Sequence, residues 1–294
     1  MDLITLLKPG SPRTALLAVA AMFGCLAATH LNASPLRDPT LKSTGVLVVD
    51  ESDSSVLVSR HADVASPIAS ITKLMTSLVV LEAGQPMDEL ITIGAADVDV
   101  GKGAGSRLSV GTTLTRADLM HLALMASENR AAHALGNNYP GGATALIAAM
   151  NAKAQALGMS SAHFVEPTGL SSQNVASPAD LSKLVVAASQ NPTIRAYSTD
   201  PSYAVRVRRH MVEFRNTDKL VANPAWNIIV QKTGYITEAG RCLVMEAVIE
   251  GRSVVIVLLD SFGKYTRLAD ATRIKRWMEA TLRRGDGLAQ ISMR

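Results

Sequence analysis

The sequence predicts an α+β fold: an antiparallel five-stranded sheet built from both ends of the chain and packed against helices drawn from its middle. Three observations carry this. Strand-like runs cluster at the beginning and the end of the sequence. Between them, apolar residues recur at helical spacing. The last two strand-like runs are joined by Glu250-Gly251-Arg252, a tight-turn signal that makes neighbouring strands antiparallel. The chain has 294 residues, 48% hydrophobic and 18% charged, which suffices for a sizeable core. Aromatics contribute only 4%, so that core is aliphatic.

Residues 1–33 read as a secretory signal peptide. Lys8 and Arg13 supply a positive start, and Thr14 to Ala28 form an apolar run too short for a comfortable membrane span. Cleavage after Leu31-Asn32-Ala33 would leave a net charge of +3 in place of +4. An uncleaved anchor is the rival reading. Cys25 raises a lipoprotein as a third, but Met22-Phe23-Gly24 is a poor lipidation signal. Removal of the leader leaves Cys242 as the sole cysteine, so no intramolecular disulfide forms. Cys242 lies in an alternating apolar stretch and reads as a small buried hydrophobe.

Residues 34–44 read as a linker into a single domain over 45–294. Val46–Val49 and Val56–Ser59 flank a polar pentapeptide and form a hairpin pattern. Ser70–Leu81 reads as a helix, with Leu74, Leu78 and Leu81 on one face. Residues 94–111 are glycine-rich and irregular. Thr115 caps a helix running to about Met125, a second helix starts near Asn129 and ends before Gly136, and a third carries Leu146, Ile147, Met150 and Leu157. Ser177-Pro178 opens a fourth, with a cap followed by proline. Trp226–Gln231, Arg241–Ile249 and Ser253–Leu259 are the remaining strands, and a helix over Leu268–Leu282 closes the chain.

Three short motifs carry chemistry. Ser70-Ile71-Thr72-Lys73 places an amine three residues from a hydroxyl, on one helical face. A serine hydroxyl needs a neighbouring base, and lysine serves if burial or nearby cations disfavour its ammonium. Alone the motif is weak: Ser261-Phe262-Gly263-Lys264 repeats it, after a strand and without helical register. Ser127-Glu128-Asn129 falls at a break between helices, where side chains can enter a cleft. Ser172-Gln173-Asn174 and Ser189-Gln190-Asn191 share its pattern but read as loop and helix-end chemistry. Lys232-Thr233-Gly234 occurs once, at the end of a strand-like run, and suits a carboxylate beside close backbone contact.

Together and in this order, the motifs form a known signature of penicillin-binding proteins and class A β-lactamases. The chain resembles the low-molecular-mass penicillin-binding proteins, above all their D-alanyl-D-alanine endopeptidase branch of the penicillin-binding protein 7 type. The likeness extends through Ala69–Thr76, Leu124–Ala132, Phe164–Leu170, Phe214–Thr217 and Phe262–Thr266. It implies a sheet between helical layers with a mostly helical subdomain, and a periplasmic serine DD-peptidase acting on peptidoglycan stems and acylated by β-lactams. Ser70 would be the nucleophile, Lys73 the proton acceptor and Ser127 a proton shuttle. Asn129, Lys232, Thr233 and Gly234 would bind substrate, and the backbone N–H groups of Ser70 and Tyr235 would form the oxyanion hole. Neither metal nor cofactor is implied.

Rival readings are weaker. No G-x-S-x-G elbow or H-E-x-x-H accompanies the six histidines. Gly101–Ser106 lacks phosphate-loop spacing. The net charge of +4 and the Arg206–His210 run suit an anionic wall polymer and do not argue for nucleic acid. A β-lactamase needs a deacylation base. Glu166 is the candidate, but Glu166-Pro167-Thr168-Gly169-Leu170 departs from E-x-x-L-N, so Glu166 reads as a structural loop residue. A D-alanyl-D-alanine carboxypeptidase and a non-catalytic penicillin or wall-binding sensor stay as alternatives.

Overall fold

The computed structural model describes residues 38–98 and 105–283. The leader, its cleavage point, Cys25 and most of Gly101–Ser106 lie outside those residues. The chain opens with strands β1 (Ser43–Asp50) and β2 (Ser55–Arg60), then the short β3 (Ser66–Pro67) and helix α1 (Thr72–Glu82). Short strands β4 (Leu90–Thr92) and β5 (Thr113–Thr115) pair with each other. Three helices follow: α2 (Arg116–Met125), α3 (Asn129–Asn137) and α4 (Gly142–Ala156). β6 (Val175–Ala176) pairs with β3, and α5 (Pro178–Ser189), α6 (Pro192–Thr199) and the hairpin of β7 (Ser202–Val207) and β8 (His210–Arg215) complete the middle. β9 (Asn227–Ile236), β10 (Gly240–Ile249), β11 (Arg252–Ser261) and α7 (Thr266–Arg283) close the chain.

The main sheet has five strands in the order β2-β1-β11-β10-β9, and every pairing is antiparallel. The first and last strands of the sequence therefore meet at its centre, as the element pattern predicts. β11 shows why the sheet is covered on both faces. Val255, Val257 and Leu259 join the core shared with α1 to α6, whereas Val254, Ile256 and Leu258 pack with Ala271, Ile274 and Met278 of α7. Side chains alternate across a strand, so a strand apolar at every position must be buried twice. Cys242 is one of these core residues, and burial raises its thiol pKa to about 12.

Local chemistry sets the helix starts. Thr115 and Asp118 cap each other reciprocally at α2, and Ser177 and Asp180 do so at α5, where Pro178 occupies the first turn. Asn191 Oδ1 accepts from the backbone N–H groups of Thr193 and Ile194, at 2.9 and 3.2 Å, to open α6. Neither α6 nor a β7–β8 hairpin is predicted from the sequence, because both are short and weakly periodic.

Several bounds shift. β1 begins at Ser43, inside the expected linker. α3 runs one turn-fraction past Gly136 to Asn137, where Asn138 N–H bonds back to Ala134 O. The helix expected from Ser70 starts at Thr72, after a 3-10 turn over Ala69–Ile71. Most consequential, Lys232-Thr233-Gly234 does not end its strand: β9 continues to Ile236, with Gly234 opposite Cys242 of β10.

Replacing Ser177 by Ala removes one half of the α5 capping box. We expect unfolding free energy to fall by about 1 kcal/mol in urea denaturation, with an unchanged dependence on denaturant. No loss would mean that Asp180 alone holds the helix start.

Candidate active site

Four segments of the chain converge beside the β9 edge of the sheet. The first is the turn before α1. Ala69 has φ +48°, a left-handed conformation costly for a residue with a Cβ, and it presents Ser70 just ahead of the helix. Lys73 lies one turn further along, fully buried, with Nζ 2.9 Å from Ser70 Oγ. The second segment is the α2–α3 connection, where Ser127 at φ +59° reverses the chain. Asn129 starts α3, and its Oδ1 accepts from Lys73 Nζ at 2.7 Å.

The third segment is β9. Lys232 is fully buried and donates to Ser127 Oγ at 2.9 Å and to the Thr233 carbonyl at 2.9 Å. Burial pushes its ammonium pKa well below that of an ordinary lysine, and the charges of Lys73 and Arg267 add to the effect. Thr233 Oγ1 lies 2.6 Å from Thr217 Oγ1. Gly234 passes over the serine turn: a Cβ there would stand 2.9 Å from Ile68 O and 3.3 Å from Ser70 N. Its glycine serves close approach of two backbones, not a turn.

The fourth segment, Glu166–Ser171, is singled out by sequence only as family likeness. The Thr168 carbonyl accepts from Lys73 Nζ at 2.6 Å. Gly169 (φ +83°) packs so tightly that a Cβ would fall 1.8 Å from Ala69 O. The Glu166 carboxylate organises this loop, accepting from Thr168 N at 2.7 Å, Gly169 N at 2.6 Å and Asn174 Nδ2 at 2.9 Å. It is a structural loop residue, as its sequence context predicts.

The residues flanking the S-x-N motif have duties of their own. Glu128 caps α3 and accepts from Ser106 Oγ at 2.5 Å, and Arg130 Nη1 donates to Leu108 O at 2.5 Å. Both pin the Ser106–Leu108 segment to α3. The other S-x-N copies are structural: Asn174 ties Val165 to Thr72, and Asn191 caps α6. Ser261 ends β11 and bonds Ser43, so its lysine lacks helical register. His121 stacks between Tyr197 and Tyr203 and pairs with Asp200, not with a serine.

Two charged groups here have no motif to reveal them. Arg267, in the first turn of α7, is 7% exposed and acts on Lys232. Asp218 is 1% exposed, and its Oδ1 accepts from Leu220 N at 2.9 Å. Burial raises its pKa from 3.8 to about 6, against the pull of the Leu220 N–H, Arg267 and Lys232. The site thus sets several buried cations near the buried Asp218 carboxylate. Chemically, it offers a hydroxyl with an amine in hydrogen-bond reach, a second Ser–Lys pair beside it and positive charge for an anion. Among the described residues, no group of three or more His, Cys, Asp or Glu could hold a metal ion.

With this geometry in hand, similarity to known proteins can be stated. Residues 32–263 match the family described as D-alanyl-D-alanine carboxypeptidase. The chain is 47% identical over 276 residues to the D-alanyl-D-alanine endopeptidase of Pseudomonas aeruginosa, covering 91% of this chain and 89% of that protein. It is 44% identical over 256 residues to the D-alanyl-D-alanine endopeptidase of Escherichia coli K12, covering 84% and 80%. The crystal structure of the Streptomyces K15 DD-transpeptidase superposes with a TM-score of 0.78 at 29% identity, over 83% of this chain and all of that one.

Two outcomes follow from the packing and the buried carboxylate. Gly169→Ala should destabilise the fold by at least about 2 kcal/mol, read as a lowered melting temperature, because the new Cβ meets backbone and the conformation is left-handed. A change near zero would show that the loop moves aside. Asp218 binds its proton more tightly folded than unfolded, so its contribution to stability falls as pH rises from about 4 through about 6. Wild-type stability relative to Asp218→Asn should decline across that window by up to about 3 kcal/mol. Parallel pH profiles of the two proteins would refute this.

Proposed function

This chain belongs to the D-alanyl-D-alanine carboxypeptidase family of serine DD-peptidases, and from that premise we propose that it is a murein DD-endopeptidase hydrolysing D-Ala–diaminopimelate cross-links. The observation that carries the reading is the pair of Ser–Lys contacts in one buried site, Lys73 with Ser70 and Lys232 with Ser127, each at 2.9 Å. The endopeptidase branch is favoured by the relatives of that name, which align along most of both chains.

The chemistry follows from the contacts. Asn129 Oδ1 and Thr168 O can only accept, so once its ammonium gives up a proton the Lys73 amine donates to both and turns its lone pair to the Ser70 hydroxyl. Lys73 takes the hydroxyl proton as Ser70 Oγ attacks the D-Ala carbonyl carbon. The oxyanion is held by the backbone N–H groups of Ser70 and Tyr235. Losing one such donor typically raises a barrier by about 3–4 kcal/mol. Collapse breaks the C–N bond, and the proton held by Lys73 reaches the departing amine through Ser127, whose hydroxyl gives up one proton as it takes that one, leaving Lys73 neutral. Water then attacks the Ser70 ester: Lys73, neutral again, takes a proton from the water and returns it to Ser70 Oγ as the ester C–O bond breaks. Asn129 orients the acyl-side peptide, while Lys232 and Thr233 hold the carboxylate on the leaving side. Gly234 lets β9 close over the reacting serine.

The same residues make the protein a target for β-lactam acylation at Ser70. Its place of action is the periplasm, which residues 1–33 reach as a signal peptide. No helix among the described residues is long and apolar enough to cross a membrane.

Digestion of purified cross-linked muropeptide dimers tests the reading. Wild-type protein should convert dimers to monomers. Ser70→Ala should abolish both this turnover and covalent penicillin labelling, and Lys73→Ala should lower acylation by at least about 100-fold. Release of free D-Ala from pentapeptides with dimers left intact would instead identify a carboxypeptidase.

A further inference from the structure

Beyond Gly234, the β9 end of the sheet carries side chains that the acyl-transfer chemistry does not use. Register places Tyr235 opposite Arg241, and Arg241 opposite Ser261, in one row across β9, β10 and β11. Phe262 follows directly, and its side chain is 93% exposed. An apolar ring of that size normally gains about 2 kcal/mol from burial. It is exposed instead, in a stretch that by register and sequence also carries two half-exposed rings, Tyr235 at 54% and Tyr265 at 51%.

Cations sit on these rings. The Arg241 guanidinium lies 4.3 Å from the Tyr235 centroid. Lys219 Nζ and Lys264 Nζ lie 5.3 and 5.5 Å from the Tyr265 centroid. Both ammonium groups lower the Tyr265 phenol pKa, Lys219 the more strongly. The bordering acids are Glu238, on the β9–β10 turn, and Asp260, whose carboxylate sits at Gly240. The surface is continuous with the active site at both ends. Tyr235 follows Lys232-Thr233-Gly234, and Arg267, two residues beyond Tyr265, turns inward toward Lys232.

We propose that this surface, formed by Lys219, Tyr235, Arg241, Phe262, Lys264 and Tyr265, is a binding subsite for the leaving-side strand of a cross-linked peptidoglycan dimer. The inference rests on the endopeptidase reading and extends it to the second strand. A carboxypeptidase expels only D-Ala, whose single carboxylate is met by Lys232 and Thr233. A cross-link expels a diamino acid that bears its own carboxylate and sits on a further acidic stem. That stem leaves on the Lys232 side, where the additional cations and exposed rings lie. The carboxylates pair with Lys219, Arg241 and Lys264, while the aliphatic parts of the stem cover Phe262 and Tyr265.

The test uses full-length mature protein carrying Lys219→Glu with Lys264→Glu, and separately Phe262→Ala. All three side chains are exposed, so folding is unaffected. Hydrolysis of purified muropeptide dimers and acylation by a fluorescent penicillin are measured side by side. The charge-reversed protein should show a KM for dimers raised about tenfold with little change in kcat, the pattern of lost ground-state binding, and an unaltered rate of penicillin acylation. Phe262→Ala should act in the same direction. Added salt should weaken dimer binding by wild type more than by the charge-reversed protein. Dimer hydrolysis unchanged in the variants, or falling in step with acylation, overturns the subsite while leaving the endopeptidase reading intact. Wild-type protein that leaves dimers uncut overturns both.

Discussion

Two lysine side chains, Lys73 and Lys232, are buried together, each bonded to a serine hydroxyl, and much of the molecule is arranged around that juxtaposition. Burying one ammonium is costly, and burying a second nearby adds repulsion. The fold offsets the cost with fixed acceptors. Asn129 Oδ1 and the carbonyls of Thr168 and Thr233 point at the two amines, and Asp218 supplies the one buried carboxylate acting on Lys232. The same environment that makes the charges costly makes an amine available as a base and an anion welcome as a ligand. Stability and chemistry are therefore opposed at this site.

Holding these groups requires backbone contacts closer than side chains allow. Gly234 and Gly169 approach the Ile68–Ser70 turn from β9 and from the Glu166 loop, and a Cβ on either would meet backbone atoms. Ala69 and Ser127 take left-handed conformations without being glycine. Such strain, of order 1–3 kcal/mol per residue, persists only where surrounding structure over-determines it. Around these residues the Glu166 carboxylate and the Asn174 amide fix the loop that packs on Ala69, and Glu128 caps α3 next to Ser127. The sheet provides the rigid reference. β9 is an edge strand, yet it is backed by β10 and β11, whose apolar faces are covered on both sides.

Legibility differed by element. Continuous apolar runs bounded by turn signals mark β10 and β11, and helical spacing marks α7, whose partners are the core itself. The helix caps at Thr115 and Ser177 are readable because capping is a local interaction. The hairpin of β7 and β8 and the helix α6 were not legible, since their short runs are settled by packing. The end of β9 is hidden in the sequence for a related reason: a glycine in a strand looks like a stop until the backbone it accommodates is seen. Asp218, Arg267, Thr168 and Gly169 carry no motif. The segments around them were visible only as likeness to relatives.

The sequence by itself determined the fold class, a sheet built from both chain ends and packed against helices, and the three motifs, because these depend on periodicity, short-range register and residue type. Ser70 and Lys73 share a helical face by spacing alone. The tertiary structure alone decided that Asn129 and Thr168 turn toward Lys73, that Lys232 meets Ser127, and that Gly234 overlies the serine turn. It also decided that a row of exposed rings and cations continues from the site along the sheet end. Those relations join residues distant in the chain, and electrostatics in a buried site depends on separations that no spacing along one strand or helix encodes.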